Sequence, residues 1–237
     1  MFPGKVYTQR REKLRQLVGD GLILIAGNEE SAMNYKANTY HFRQDSSFLY
    51  YFGINKPGFY GICDPESGID TLFGNDFDMD DIIWMGEQPL VKELASSVGA
   101  GVSASLKELS SVLQSAISSG RKIHILPPYR GDHQLALSNL FGVGVESVKK
   151  FVSEELIRAV VKMRSVKDPF EIGEIEKAVE VAGLMHTTAM KMAFPGNFER
   201  ELAGAIEGIA LSHGGPVSFP VILSMNGQTL HNHDHGN

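Results

Sequence analysis

The segment Leu230-His231-Asn232-His233-Asp234-His235 places three imidazoles and one carboxylate in close succession. In extended backbone alternate side chains share a face, so His231, His233 and His235 are able to point together. Imidazole suits zinc, copper, iron or nickel. Three ligands from one short strand make a poor cage, so spacing alone leaves open a self-sufficient metal site and a solvated polar tail. A second run, Asp76-Phe77-Asp78-Met79-Asp80, has the look of a calcium loop, with Ile83 and Glu87 where an EF-hand has its eighth and twelfth positions. Asp81 falls where the sharp turn needs glycine, and no helix is expected before the run, so it reads as an acidic surface loop. His186 lies on an apolar helical stripe and reads as a core histidine with a satisfied nitrogen. The single cysteine, Cys63, has no histidine that can be placed beside it. It reads as a buried, inert thiol, and no intrachain disulfide can form. No glycine-rich phosphate loop and no G-x-S-x-G elbow occurs, so nucleotide binding and serine hydrolysis lack support.

The elements that would position these residues change character along the chain. Tyr7–Val18 is patterned as a basic amphipathic helix, with Leu14, Leu17 and Val18 on one side and Arg10, Arg11, Lys13 and Arg15 read as a solvated face. Strands are expected at Leu22–Ala26, Phe48–Phe52, Phe59–Cys63, Ile69–Phe73 and Ile123–Leu126, with Pro65-Glu66-Ser67-Gly68 as a hairpin-like turn. Helices are expected at Pro89–Val98, Leu106–Ser118 and Asp132–Asn139. This mixture predicts an α/β layer domain. From about Val148 helical patterns dominate. Val148–Met163 reads as one helix. Asp168-Pro169-Phe170-Glu171 then opens another, with Asp168 as N-cap, Pro169 at the first helical position and Glu171 closing a capping box. Ile172, Ile175, Val179, Ala182, His186, Ala189 and Ala193 recur on one face, and Pro195-Gly196 stops the helix. A further helix over Phe198–His213 and a strand over Val217–Leu223 complete the pattern. The boundary is expected between about Gly144 and Arg164, giving domains 1–150 and 151–237.

The 237 residues make one large domain or two small ones at ~150 residues each. There are 22 Lys+Arg against 28 Asp+Glu, net −6, which excludes a strongly basic nucleic-acid binder. Hydrophobic residues at 43% and charged residues at 21% argue against wholesale disorder. No apolar run approaches the ~18 residues of a membrane span, so no membrane partner is expected. The opening MFPGKVYTQRR has neither an apolar core nor a small-residue cleavage site, so no secretory signal is expected. With a single cysteine, this favours a cytoplasmic location.

Met163-Arg164-Ser165-Val166-Lys167-Asp168-Pro169-Phe170-Glu171-Ile172 resembles the opening of the catalytic domain in the aminopeptidase P and prolidase family. His186, Met190, Pro195-Gly196 and Glu201 continue that resemblance, as does Pro220 to His231 with its small turn Ser224-Met225-Asn226-Gly227 before a Leu-His pair. Phe42-Arg43-Gln44-Asp45-Ser46-Ser47-Phe48-Leu49-Tyr50, with Gly53 and Pro57, resembles the signature of the same family's N-terminal domain. Together these motifs span nearly the whole chain.

The resemblance implies an α/β N-terminal domain, a mixed sheet flanked by helices, followed by the beginning of an α+β "pita-bread" catalytic domain. It implies an Xaa-Pro aminopeptidase that releases the first residue from proline-containing peptides. Two divalent ions, commonly manganese, hold a bridging hydroxide in the family. Their two Asp, one His and two Glu ligands are expected beyond Asn237, so this chain holds no metal ligand and is expected to be inactive alone. His231 corresponds to a histidine that faces substrate and stabilises the tetrahedral intermediate as a donor. His233 and His235 carry no implied catalytic role. Trp84, in Ile82-Ile83-Trp84-Met85-Gly86, resembles an N-domain tryptophan that reaches a neighbour's substrate in oligomeric members; a purely structural tryptophan is the other reading. A homo-oligomer is implied. Prolidase, a metal-free creatinase-like hydrolase and a non-catalytic binding module are the alternatives on the same fold.

Overall fold

Strand β1 (Leu22–Ala26) feeds two separate cores, Ile23 and Ile25 on one face and Leu22 and Leu24 on the other, as the two-residue period of a strand dictates. The structure is a computed structural model that describes residues 1–236. It divides into two compact units, Met1–Val166 and Lys167 onward.

In the first unit β1 joins β4 (Tyr60–Cys63), β5 (Asp70–Phe73), β6 (Val102–Ala104) and β7 (Ile123–His124) in one sheet, ordered β6-β5-β4-β1-β7. The β1–β4 and β4–β5 pairs are antiparallel, and β1–β7 and β5–β6 are parallel, so the sheet is mixed as expected. A separate antiparallel ribbon pairs β2 (Ala32–Tyr35) with β3 (Asn38–Thr39). Helices α1 (Gly4–Val18), α2 (Ser46–Phe52), α4 (Val91–Ser97) and α7 (Glu154–Arg164) cover the Ile23 face. Helices α5 (Leu106–Ser118) and α6 (Gly131–Phe141) cover the Leu22 face. Helix α3 (Met79–Met85) buries none of its residues. Cys63 is fully buried, and that burial pushes its thiol pKa up, which suits an inert group.

Three local expectations are corrected. Phe48–Phe52 is helix, not strand: Asp45 accepts from the backbone N–H of Ser47 and Phe48 at 2.8 and 2.9 Å, and left-handed Gly53 closes the other end. Two good caps override the aromatic strand preference. Close approach of α2 to β4 also demands glycine at Gly61, where a Cβ would stand 2.1 Å from the Phe52 ring. Val148–Met163 is not one helix. A 3-10 segment, Val145–Phe151, comes first; Val152 bridges Ile125 in extended form, and Ser153 then caps α7 by accepting from Leu156 N–H. The acidic run is not merely a loop, since Asp78 and Asp81 form the capping box of α3.

The basic face of α1 is the largest departure. Arg10 and Arg11 are buried, Arg11 completely. Arg11 Nε donates to Asp70 Oδ2 at 2.9 Å, Nη1 to the Tyr51 carbonyl at 2.8 Å, and Nη2 to the carbonyls of Val98 and Gly99 at 3.0 and 2.8 Å. The Phe52 ring lies 4.9 Å from its guanidinium carbon. Arg15 completes the pairing at Asp70 Oδ1. A rigid, multi-donor guanidinium can be desolvated because every direction meets an acceptor.

The second unit begins as the sequence predicts. Asp168 accepts from Phe170 and Glu171 N–H at 2.9 and 3.0 Å, Glu171 returns an acceptor to Asp168 N–H at 3.0 Å, and α8 (Pro169–Met192) follows. It packs against α9 (Glu199–Ser212). No residue of α8 is buried: Ile172, Ile175 and Val179 remain 45–63% exposed, and His186 is exposed rather than a core histidine. Val217–Leu223 forms no strand, because no partner strand lies beside it among the described residues. Helix α7 packs on α1, and the first compact unit runs through it to Val166.

Asp70→Ala leaves the Arg11 charge buried beside carbonyls alone. It is expected to cost about 3–5 kcal/mol of stability, read as a lowered urea midpoint. A loss below about 1 kcal/mol, the range of an exposed pair, would show that the pair does not anchor the unit.

Candidate functional site

His231 lies on a loop whose two ends are tied together. Leu223 N–H donates to the Asn232 carbonyl at 3.3 Å, and Asn232 Nδ2 returns to the Leu223 carbonyl at 2.8 Å. Between them Met225–Gly227 makes the small 3-10 turn, with Asn226 in the left-handed region at φ 60°. Asn tolerates that conformation better than most residues. Ser224 Oγ donates to the Thr229 carbonyl at 2.9 Å.

Glu199, buried at the start of α9, holds this loop to the helix. Its carboxylate accepts from Met225 N–H and from Asn232 Nδ2, the latter at 3.2 Å. Leu230 is 90% exposed and His231 is exposed. Among the described residues His231 has no hydrogen bond, so its ring nitrogens are free to donate to a bound group. Its ring stands edge-on to His233, centroids 4.7 Å apart. His233 Nδ1 lies 3.2 Å from the Val221 carbonyl, a donor contact that holds the ring against the loop. The three tail imidazoles do not form a shared ligand set: among the described residues no three His, Cys, Asp or Glu side chains converge on a cation position.

In the first unit the Phe42–Tyr50 motif is a polar hub. Buried Gln44 accepts at Oε1 from Asn28 and Asp45 N–H, at 2.6 and 2.8 Å. Its Nε2 donates to the carbonyls of Ile54 and Lys56, at 3.3 and 2.7 Å. Asp45 caps α2 and accepts from Tyr129 Oη at 3.2 Å. Trp84 sits on α3, 85% exposed.

Sequence reasoning missed the roles of Gln44, Glu199, Asn28 and Tyr129. Only the acidic start of α9 left a signal, and it marks a helix end rather than a tether. It also missed a Ser–His–Asp arrangement. His124 Nδ1 lies 2.6 Å from Ser153 Oγ, and His124 Nε2 lies 3.1 Å from Asp20 Oδ1. Ser153 is buried and its hydroxyl accepts from Leu156 N–H while donating to Glu155. It serves as a helix cap and cannot reach a substrate as a nucleophile.

The fold agrees with that of known proteins. The family described as "Aminopeptidase P, N-terminal domain" matches residues 7–126, and the chain belongs to it. A "Probable Xaa-Pro aminopeptidase" of Talaromyces stipitatus is 27% identical over 247 residues, covering 100% of this chain and 47% of the relative. The Xaa-Pro dipeptidase of Homo sapiens is 25% identical over 209 residues, covering 87% of this chain and 41% of the relative. Among solved structures, aminopeptidase P from E. coli in its low-pH form superimposes with a TM-score of 0.70 at 22% identity, covering 90% of this chain and 50% of that one. Proline aminopeptidase P II from Yersinia pestis gives 0.68 at 23% identity, with 90% and 51% covered. The chain spans about half the length of the curated relatives it matches.

Glu199→Ala removes both acceptors that tether the loop. Faster amide exchange and proteolysis over residues 224–232 are expected, with the first unit unchanged. Unaltered exchange there would show that the loop holds itself.

Proposed function

We propose that this chain supplies the N-terminal domain and the histidine-bearing opening of the catalytic domain of an Xaa-Pro aminopeptidase, a hydrolase that frees the first residue of peptides with proline second. One observation carries the reading: similarity to an Xaa-Pro aminopeptidase runs through 100% of the chain, the His231 loop included. The exposed, unbonded ring of His231 supports a donor role. Water addition to a peptide carbonyl puts negative charge on its oxygen, and a preorganised N–H lowers the energy of that state.

Two divalent ions, manganese in this reading, would activate the water in the whole enzyme. The described residues do not fit such a centre, since no three ligating side chains converge. The role given to His231 does not depend on them, and this chain alone is proposed to be inactive. Trp84, exposed on α3, is proposed to reach the substrate of a neighbouring copy in a homo-oligomer. No helix among the described residues is long and apolar enough to cross a membrane. With one buried, reduced cysteine this supports the proposal of a cytoplasmic enzyme. The human dipeptidase relative favours a second reading, cleavage of Xaa-Pro dipeptides only; turnover of Xaa-Pro-Yaa against Xaa-Pro distinguishes the two.

In an active protein that carries this chain, His231→Ala is expected to lower kcat ~100- to 1,000-fold, the effect of losing one oxyanion donor. Metal content should stay unchanged, and His233→Ala and His235→Ala should do less. Metal loss in His231→Ala would overturn the donor role, and parallel loss in all three would restore the histidine-cluster site.

A further inference from the structure

Buried His124 sits in a chain of polar contacts that is one proton short when its ring is neutral. Its Nδ1 lies 2.6 Å from Ser153 Oγ and its Nε2 lies 3.1 Å from Asp20 Oδ1. Ser153 Oγ also accepts from Leu156 N–H at 3.2 Å and lies 2.8 Å from Glu155 Oε2. The chain therefore runs Asp20–His124–Ser153–Glu155, with a carboxylate at each end and three contacts that each need a proton. A neutral imidazole brings one N–H and the serine hydroxyl one O–H, two in all. Only the imidazolium, donating from both ring nitrogens, supplies the third.

The two carboxylates decide which contact goes without. Glu155 is fixed. It accepts from its own backbone N–H, from Ser153 and from Lys122 Nζ, the last at 3.1 Å, and these bonds hold its pKa down to about 2. It stays beside Ser153 as an anion, so the hydroxyl proton points to it. Ser153 then meets the ring as an acceptor, and a neutral His124 must carry its proton on Nδ1. That leaves the Nε2 lone pair facing Asp20 Oδ1. The Asp20 side chain is 67% exposed, and its carboxylate has no other hydrogen bond or ion pair among the described residues. Asp20 is therefore the group able to turn to water.

The charged groups that face the ring are Asp20 from the turn after α1, Lys122 from the approach to β7 and Glu155 from α7. Glu154, the other acid at the start of α7, pairs with Arg158, and β1, beside β7 in the sheet, is wholly apolar. Burial and then Lys122 lower the His124 pKa, and Asp20 and Glu155 only partly offset them, so the neutral ring prevails at neutral pH. We propose that His124 is a proton-operated latch: neutral, it serves Ser153 and leaves Asp20 to water; protonated, it ties the turn before β1 to the N-cap of α7. The stability that goes with its neutral form is complete above the ordinary imidazole value of about 6.5 and is lost as pH falls through the folded value. The latch lies in the first unit and does not rest on the peptidase reading.

Nitrogen-15 NMR of the His124 ring in the 237-residue chain tests this, because protonated and bare ring nitrogens resonate far apart. Near neutral pH the proton should sit on Nδ1. On acidification both nitrogens should become protonated, with a midpoint below the ordinary imidazole value. D20A should lower the proton affinity of His124 about two- to fivefold, the range of a partly exposed ion pair. Asp20 is exposed, so this variant keeps the fold, and an unchanged thermal midpoint near neutral pH checks that it does. A proton on Nε2 near neutral pH, a ring already doubly protonated there, or an unchanged midpoint of titration in D20A would overturn the proposal.

Discussion

A single guanidinium fixes the arrangement of the first unit. Arg11 projects from α1 into a site where Asp70 of β5, the end of α2 and the end of α4 all present oxygen to it. Each of those elements arrives from a distant part of the chain, so one side chain sets their relative positions. Removing a charge from water is costly, and the cost is recovered only when all the partners are in place. That makes the arrangement selective. A shift of α1 by one turn would leave the charge and three carbonyls unsatisfied.

The same logic recurs on a smaller scale wherever the chain leaves regular structure. Gln44 uses both ends of its amide to join the segment after β1 to the segment after α2. Glu199 uses both carboxylate oxygens to hold the loop that carries His231. Each is a short polar side chain substituting for the ladder bonds that an irregular segment lacks. The His231 ring is thereby presented to solvent on a loop whose base is closed.

Much of the fold was legible from the sequence where local signals agreed. β1, α5 and the Asp168 start of α8 appear where period and caps place them. The failures differ in cause. Phe48–Phe52 carries strand-forming aromatics, yet its local caps, Asp45 and Gly53, hold it as a helix. Arg10 and Arg11 look like solvated charges until residues tens of positions away supply their acceptors. His186 sits on a true apolar stripe, but a stripe specifies a face and does not say what covers it. The Leu-His resemblance points to His231, whereas Glu199, the tether of its loop, becomes visible only when the loops are placed in space.

Native-state hydrogen exchange on the dilute, monomeric chain tests most directly whether the buried Arg11 cluster organises this protein. The slowest exchange is expected in α1 around Leu14, in β1 and in β4, whose amides open only when the first unit unfolds. Amides of α8, whose apolar stripe remains exposed, should exchange much faster. Uniformly slow exchange across 165–236, or protection in α8 matching that of β1, would contradict this ordering and place the organising contacts in the second unit.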